Sequence, residues 1–401
     1  MNKRTWLMAT VLMAACNEGG GGGGGGGSGG EGDTAGAGGN AAGNDGSGGS
    51  KQTGGSVATG GNSGSGGTSA TGGSGGAGGT STGGAGGSAT GGSATGGMGG
   101  TGTGGTSAGG TGGASAVAPV AVGNIYRFSW DNQVVEVDPA KGGRITVFSL
   151  GGKNILTGPS ANPDNYGSTF WPSPQSAWNW PPPAEIDPGA YTARVEAATL
   201  VMESKVNTKV NLMVTKRFWI DRVNSELVLA YDMKNTSNTA AVWAPWEITR
   251  VAPGGMTLFE LGAGGTAAVG TWIPTPLDSA AGWRWFDDAA LQINNNMPRK
   301  TFADGKGWLA HLARADRLLL VKTFADVGVN GQAKDEAEVE IFVDTARKYV
   351  EVENQGAAGS LAPGESRVWT VRWSLRAIAG NGALPVGSPE VVDAVKSVLS
   401  R

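Results

Sequence analysis

QVVEVDPAKGGRITVFSLGGKNIL, residues 133–156, alternates apolar and polar side chains twice, over 133–137 and again over 144–150. A side-chain period of two belongs to a strand with one face buried and not to a helix. Asp138-Pro139 ends the first run, because proline has no N–H to give to a ladder. Gly151-Gly152 leads the second run into 154–156 and supplies the positive φ of a tight turn, which makes a hairpin by turn chemistry.

The same signature recurs through the C-terminal part of the chain. Runs at 192–202, 210–219, 226–233, 256–261, 308–313, 317–324, 337–343, 348–353 and 367–375 are rich in Val, Ile, Leu, Phe and Trp. The runs at 308–313 and 317–324 flank a short hairpin loop at 313–316. Strands at this spacing with no helical period between them predict an all-β fold, a large antiparallel sandwich rather than βαβ units. One short helix is expected at the end: Ser388 as cap, Pro389 in the first turn, and a stripe of Val391, Val392, Val395, Val398 and Leu399.

Before residue 118 the chain is a different polymer. Met1 opens a leader with Lys3 and Arg4, a short apolar run at 6–13, and Met13-Ala14-Ala15-Cys16. The run is too short to span a bilayer, and small residues before the chain's only Cys resemble a lipoprotein signal peptide ending in a lipobox. Lipidated Cys16 would then anchor the chain on the envelope, extracytoplasmically, and Asn17 after it favours the outer membrane or cell surface. Residues 17–117 are mostly Gly, Ser, Thr and Ala. So little apolar surface cannot offset the entropy of ordering, so a disordered tether is expected, with a reach of about 50–60 Å for roughly 100 residues. Residues 118–401 form the folded domain.

Composition excludes several classes. The net charge is −3, which gives no basic field for nucleic acid. One Cys permits no internal disulfide, and one His leaves no imidazole cluster for a metal; no metal or cofactor is expected. Of 14 Trp, all but Trp6 lie in the domain, and either core packing or ligand stacking must account for them.

Three stretches, EVDPAKGGRI (136–145), GSTFWPSPQSAWNWPPP (167–183), and APWEITR (244–250) coupled with YVEVENQG (349–356), together resemble the galactose-mutarotase-like (aldose 1-epimerase-like) superfamily, closest to an uncharacterised branch. The resemblance covers about residues 125–378 and implies a β-supersandwich with a sugar-binding groove on a concave sheet face. It further implies proton transfer at the anomeric centre by a Glu base and a His acid. Glu353-Asn354-Gln355 resembles the segment holding the base, so Glu353 takes that role by resemblance. Where the family has its acid this chain has Trp243 to Glu247 without a His, so Glu247 is the remaining candidate, and it would need burial to raise its pKa.

Glu351 and Glu353 project to one face of their strand, as do Glu338 and Glu340 of theirs. Four carboxylates there need either solvent or cations, with Arg144, Arg250 and Lys322 as candidate partners in a groove. The proline-rich segment predicts a stiff loop in which Trp171, Trp178 and Trp180 either stack on a sugar or pack as a lid, with Gln175 offering an amide. Arg144, after two glycines, serves either a ligand or a pairing with Glu136 or Asp138. His311 reads as a strand residue outside the site. The expected partners are a carbohydrate and, through Cys16, a membrane. The reading is carbohydrate binding or processing, against a binding or structural envelope lipoprotein without catalysis; turnover and oligomeric state stay open.

Overall fold

The computed structural model describes residues 115–292 and 297–401. The leader, Cys16 and the tether as far as residue 114 lie outside the described residues.

The opening alternation folds as read. Gln133–Asp138 buries every second residue, with Val135 and Val137 inward. Arg144–Leu150 pairs with it antiparallel, with a register shift between Glu136 and Val137. Two antiparallel sheets result. The first runs, in spatial order, Val120–Val122, Ile125–Trp130, Gln133–Asp138, Arg144–Leu150, Ser168–Ser173, Ala241–Val251, Val350–Gln355, Val339–Val343, Arg299–Ala303 and Thr266–Ala267. The second runs Asp278–Ala280, Trp283–Asp287, Met256–Phe259, Trp308–Ala313, Leu318–Thr323, Ser366–Ala377, Glu226–Asn235, Leu212–Asp221, Thr199–Glu203 and Thr192–Glu196. Among the described residues the fold is an all-β antiparallel sandwich with a single α-helix, Pro389–Leu399, at its C-terminal end.

Between the sheets lies an apolar layer to which both contribute, among others Phe148 and Phe170 of the first and Tyr231, Trp373 and Leu320 of the second. Burying a side chain of this size stabilises by about 1.5–3 kcal/mol, so this layer is the main driving force for closing the sandwich. The helix lies on the far face of the second sheet, where Val391, Val392, Val395 and Val398 pack with Met256, Trp285, Trp308 and Val321. Ser388 does not cap it in the expected way: its Oγ donates to Glu390 Oε2 at 2.7 Å instead of receiving a backbone N–H. Leu399, expected in the stripe, is 37% exposed.

Other differences have local causes. The run 192–202 is two strands, because Ala197 adopts a positive φ of 53° and turns the chain into a hairpin. Residues 171 and 172 are not loop but the centre of the buried strand Ser168–Ser173. Pro172 is tolerated because this strand meets Arg144–Leu150 only at Ile145↔Ser168, and on its other side Pro172 faces Pro245.

Candidate active-site cleft

Five strands of the first sheet fix the site by register alone. Trp171 faces Trp246, Trp246 faces Gln355, Ile248 faces Glu353 and Arg250 faces Glu351. Next in order, Glu353 faces Glu340, Glu351 faces Phe342, and Phe342 faces Lys300. Because successive side chains alternate, all of these share the face turned away from the second sheet. There several of them border an open cleft lined by Asn165, Trp171, Gln175, Trp180, Trp246, Trp272, Lys300, Phe342, Tyr349 and Glu351.

The walls are aromatic. Trp171 stands edge-on to Trp246 with centroids 5.3 Å apart and to Trp180 at 5.8 Å. Trp272 meets Phe342 edge-on at 6.0 Å. The floor is ionic. Lys300 Nζ lies 2.7 Å from Glu340 Oε2 and 3.4 Å from Glu353 Oε2, and 4.9 Å above the Trp246 ring. Glu340 Oε1 accepts from Gln355 Nε2 and from the Ala337 N–H, both at 2.8 Å. Arg250 donates from Nε to Glu351 Oε1 at 2.8 Å, its guanidinium 5.4 Å from the Trp171 ring and 5.9 Å from that of Tyr349. Glu353 Oε1, Trp246 Nε1 and Arg250 Nη1 and Nη2 are buried without a hydrogen-bond partner among the described residues.

Burial, the largest influence, and then the neighbouring carboxylates push Glu353 up to about 8. Burial likewise dominates at Glu340, also pushed up to about 8 although Lys300 pulls it down. For Lys300 burial acts to lower the pKa, but Glu340, Glu353 and Glu336 together outweigh it and hold the ammonium well above its ordinary value. Two acids facing one ammonium titrate as a pair, and between them they keep a proton close to neutral pH.

Of the residues expected here, Trp171, Gln175, Trp180 and Glu351 line the cleft, with Arg250 and Glu353 directly behind. The rest lie elsewhere. Glu247, one residue on from Trp246, points between the sheets, where it accepts from Tyr231 Oη at 2.7 Å and Trp373 Nε1 at 3.0 Å and pairs with Lys322 Nζ at 2.8 Å. Alternation therefore removes Glu247 as an acid for this cleft. Lys322 belongs to the second sheet and is held in the same core network, where it also donates to Asn354 Oδ1 at 2.7 Å. Trp178 is 0% exposed and donates to the Pro172 carbonyl at 2.7 Å, so it packs beneath Trp171 and does not stack on a ligand.

Arg144 is buried and pairs with Asp187 at 2.8 Å, not with Glu136 or Asp138, and it donates to the Asp164 carbonyl. Asp187 in turn accepts the Trp171 Nε1–H at 2.8 Å, so Arg144 backs the Trp171 wall without reaching the cleft. Glu338 turns to the backbone, accepting the Gly307 N–H at 2.8 Å. Gln175 sits in the short 3₁₀ turn Gln175–Ala177, tied down by its N–H to Glu336 Oε1 at 2.9 Å. His311 is buried in the second sheet, Nδ1 3.0 Å from Thr257 Oγ1, and burial lowers its pKa to about 3.

Lys300, Trp272, Phe342 and Tyr349 were not anticipated. Lys300 lies on the strand Arg299–Ala303, which the sequence reading did not include. Among the described residues no group of three or more His, Cys, Asp or Glu could hold a metal, and no helix is long and apolar enough to cross a membrane.

No family model matches the chain, and no curated protein matches it. It is similar in structure to galactose-mutarotase-like proteins. A putative aldose 1-epimerase from Escherichia coli K12 is 14% identical, with 63% of this chain and 98% of that one covered at a TM-score of 0.43. A galactose mutarotase related enzyme from Lactobacillus acidophilus is 11% identical over 65% of this chain and 100% of that one, TM-score 0.45. A galactose mutarotase-like protein from Clostridium acetobutylicum is 11% identical over 63% and 95%, TM-score 0.42.

Proposed function

We propose that the cleft binds a sugar ring and that the chain presents this site at the cell envelope, held there by lipidated Cys16. The observation that supports the reading is the combination of Trp171, Trp180, Trp246 and Trp272 around one opening with the side chains of Lys300, Gln175, Asn165 and Glu351 inside it. A sugar ring offers flat C–H faces and a rim of hydroxyls. Indole walls suit the faces, and paired charged groups suit the rim.

Binding without turnover is the form of this reading that the geometry favours. Opening a hemiacetal needs a base and an acid on opposite sides of the anomeric carbon. Glu353, with its carboxyl pushed up to about 8, suits a proton carrier at the floor. Neither residue considered for the acid reaches the cleft: Glu247 is engaged in the core by Tyr231, Trp373 and Lys322, and His311 is buried in the other sheet.

A glycan array followed by calorimetry on the full chain tests the proposal, with Trp180→Ala and Glu353→Gln in parallel. Sugar binding weakened by both substitutions is the expected outcome. Binding indifferent to both removes the cleft as the site. The anchor is tested separately, by Cys16→Ser, which should shift the protein from the membrane to the soluble fraction.

A further inference from the structure

Resting on the sugar-binding reading, we propose that the cleft selects a sugar bearing a carboxylate, a hexuronic acid, because it gathers hydrogen-bond donors for which the chain supplies no acceptor. Trp246 lines the cleft and is 1% exposed, yet its Nε1–H has no partner among the described residues. Lys300 lines the cleft too, its ammonium 4.9 Å above the Trp246 ring. Asn165 and Gln175 bring side-chain amides to the same opening. Behind the wall, Arg250 engages only Nε, on Glu351, and both of its Nη groups are buried and unpartnered among the described residues. Its guanidinium lies 5.4 Å from the Trp171 ring and 5.9 Å from the Tyr349 ring, and both of those rings line the cleft.

A buried donor without an acceptor carries a desolvation cost, and a ligand that supplies the acceptor recovers it. Sugar hydroxyls can do part of this. A carboxylate offers two oxygens that only accept, and its charge-assisted hydrogen bonds are roughly twice as strong as neutral ones. Charge points the same way. Glu340 and Glu353, the acids nearest Lys300, lie under the floor, and burial pushes both up to about 8. At pH 6 they are therefore largely protonated and bring little negative charge to the ammonium. Glu351 lines the cleft but is already held by Arg250. A ligand cation would meet these donors and the Lys300 ammonium head-on, and a neutral sugar would leave that ammonium without a counter-charge.

Calorimetric titration of the full chain at pH 6 with glucuronate, galacturonate, glucuronamide, glucose and glucose 6-phosphate tests this. One of the uronates should bind roughly tenfold or more tightly than glucose and than glucuronamide, which has the same ring without the charge, and the preference should shrink as salt is raised. Lys300→Gln should bring the uronate-to-glucose affinity ratio toward one, and Trp246→Phe, which keeps a ring and removes the N–H, should lower it. A merely structural role for these side chains would weaken both sugars together and leave the ratio in place, which overturns the assignment. The preference should also fall from pH 6 to pH 9, as Glu340 and Glu353 ionise around Lys300, with Glu336, Glu351, Arg250 and Lys322 the other charged groups beside them. Glucose or glucuronamide binding as tightly as the uronates overturns the selection while sparing the sugar site, and tighter binding of glucose 6-phosphate overturns the carboxylate. Failure of every sugar to bind overturns both.

Discussion

Removing the Glu340 carboxylate should change stability in a way that depends on pH, and the sign follows from the floor of the cleft. Glu340 is buried beside Glu353 with one ammonium between them, and burial first of all pushes its carboxyl up to about 8 from the ordinary 4.5. Between those two values the folded chain keeps a proton that the unfolded chain has released. Stability from this group is therefore complete below about 4.5 and drains away as pH rises through 8. One proton corresponds to about 1.4 kcal/mol per pH unit, hence about 3 kcal/mol from pH 5 to pH 7.

Glu340→Gln keeps the shape, removes the titration, and leaves Lys300 paired with Glu353 alone. Relative to the parent, the variant should gain about 3 kcal/mol between pH 5 and pH 7. Urea unfolding of the full-length parent and variant in parallel at pH 5, 6 and 7 measures the difference, and contributions from other titrating groups such as His311 cancel because both chains have them. A variant destabilised equally at all three pH values would refute the reasoning. It would mean that Glu340 is ionised against Lys300 throughout, and that the substitution simply breaks a buried ion pair.

Three further outcomes follow from the same structure. Trp178→Ala should cost about 3–5 kcal/mol in urea unfolding by opening a cavity under Trp171, whereas half-buried Trp180→Ala should cost about 1 kcal/mol or less and act on ligand affinity. Lys322→Met leaves the Glu247 charge unpaired between the sheets and should cost about 3–5 kcal/mol by the same measurement, much of it recovered when Glu247→Gln is added. His311, whose pKa burial lowers to about 3 from 6.5, stays neutral in the fold while the unfolded chain takes up a proton, so stability falls as pH drops from 6.5 toward 3. A chain with His311→Gln should lose that acid-side slope of about 1.4 kcal/mol per pH unit, read as the midpoint of urea unfolding at pH 4, 5 and 6.

Much of the fold was legible because strand formation with one buried face is written locally. The alternation in QVVEVD and RITVFSL, and the hairpin loop between 308–313 and 317–324, needs only neighbouring residues and turn chemistry, and these elements form where expected. Ser168–Ser173 and Arg299–Ala303 were missed because they are strands of a sheet interior whose composition, with Pro172 in one and Arg299-Lys300 in the other, does not favour pairing by itself. Their neighbours in the sheet hold them extended.

The site was legible only in part, for a reason that a single pair of residues shows. Trp246 and Glu247 are adjacent, and alternation requires them to point to opposite faces; nothing in the sequence says which face the second sheet will cover. The same holds for Trp178 and Trp180, one buried under the wall and the other part of it, and for Lys322 and Lys300, the first engaged in the core and the second in the cleft. The sequence determined that strands would form and that Glu351 and Glu353 would share a side. Only the stacking of one sheet on the other, a matter of contacts between residues far apart in the chain, decided which side became core and which was left open to a ligand.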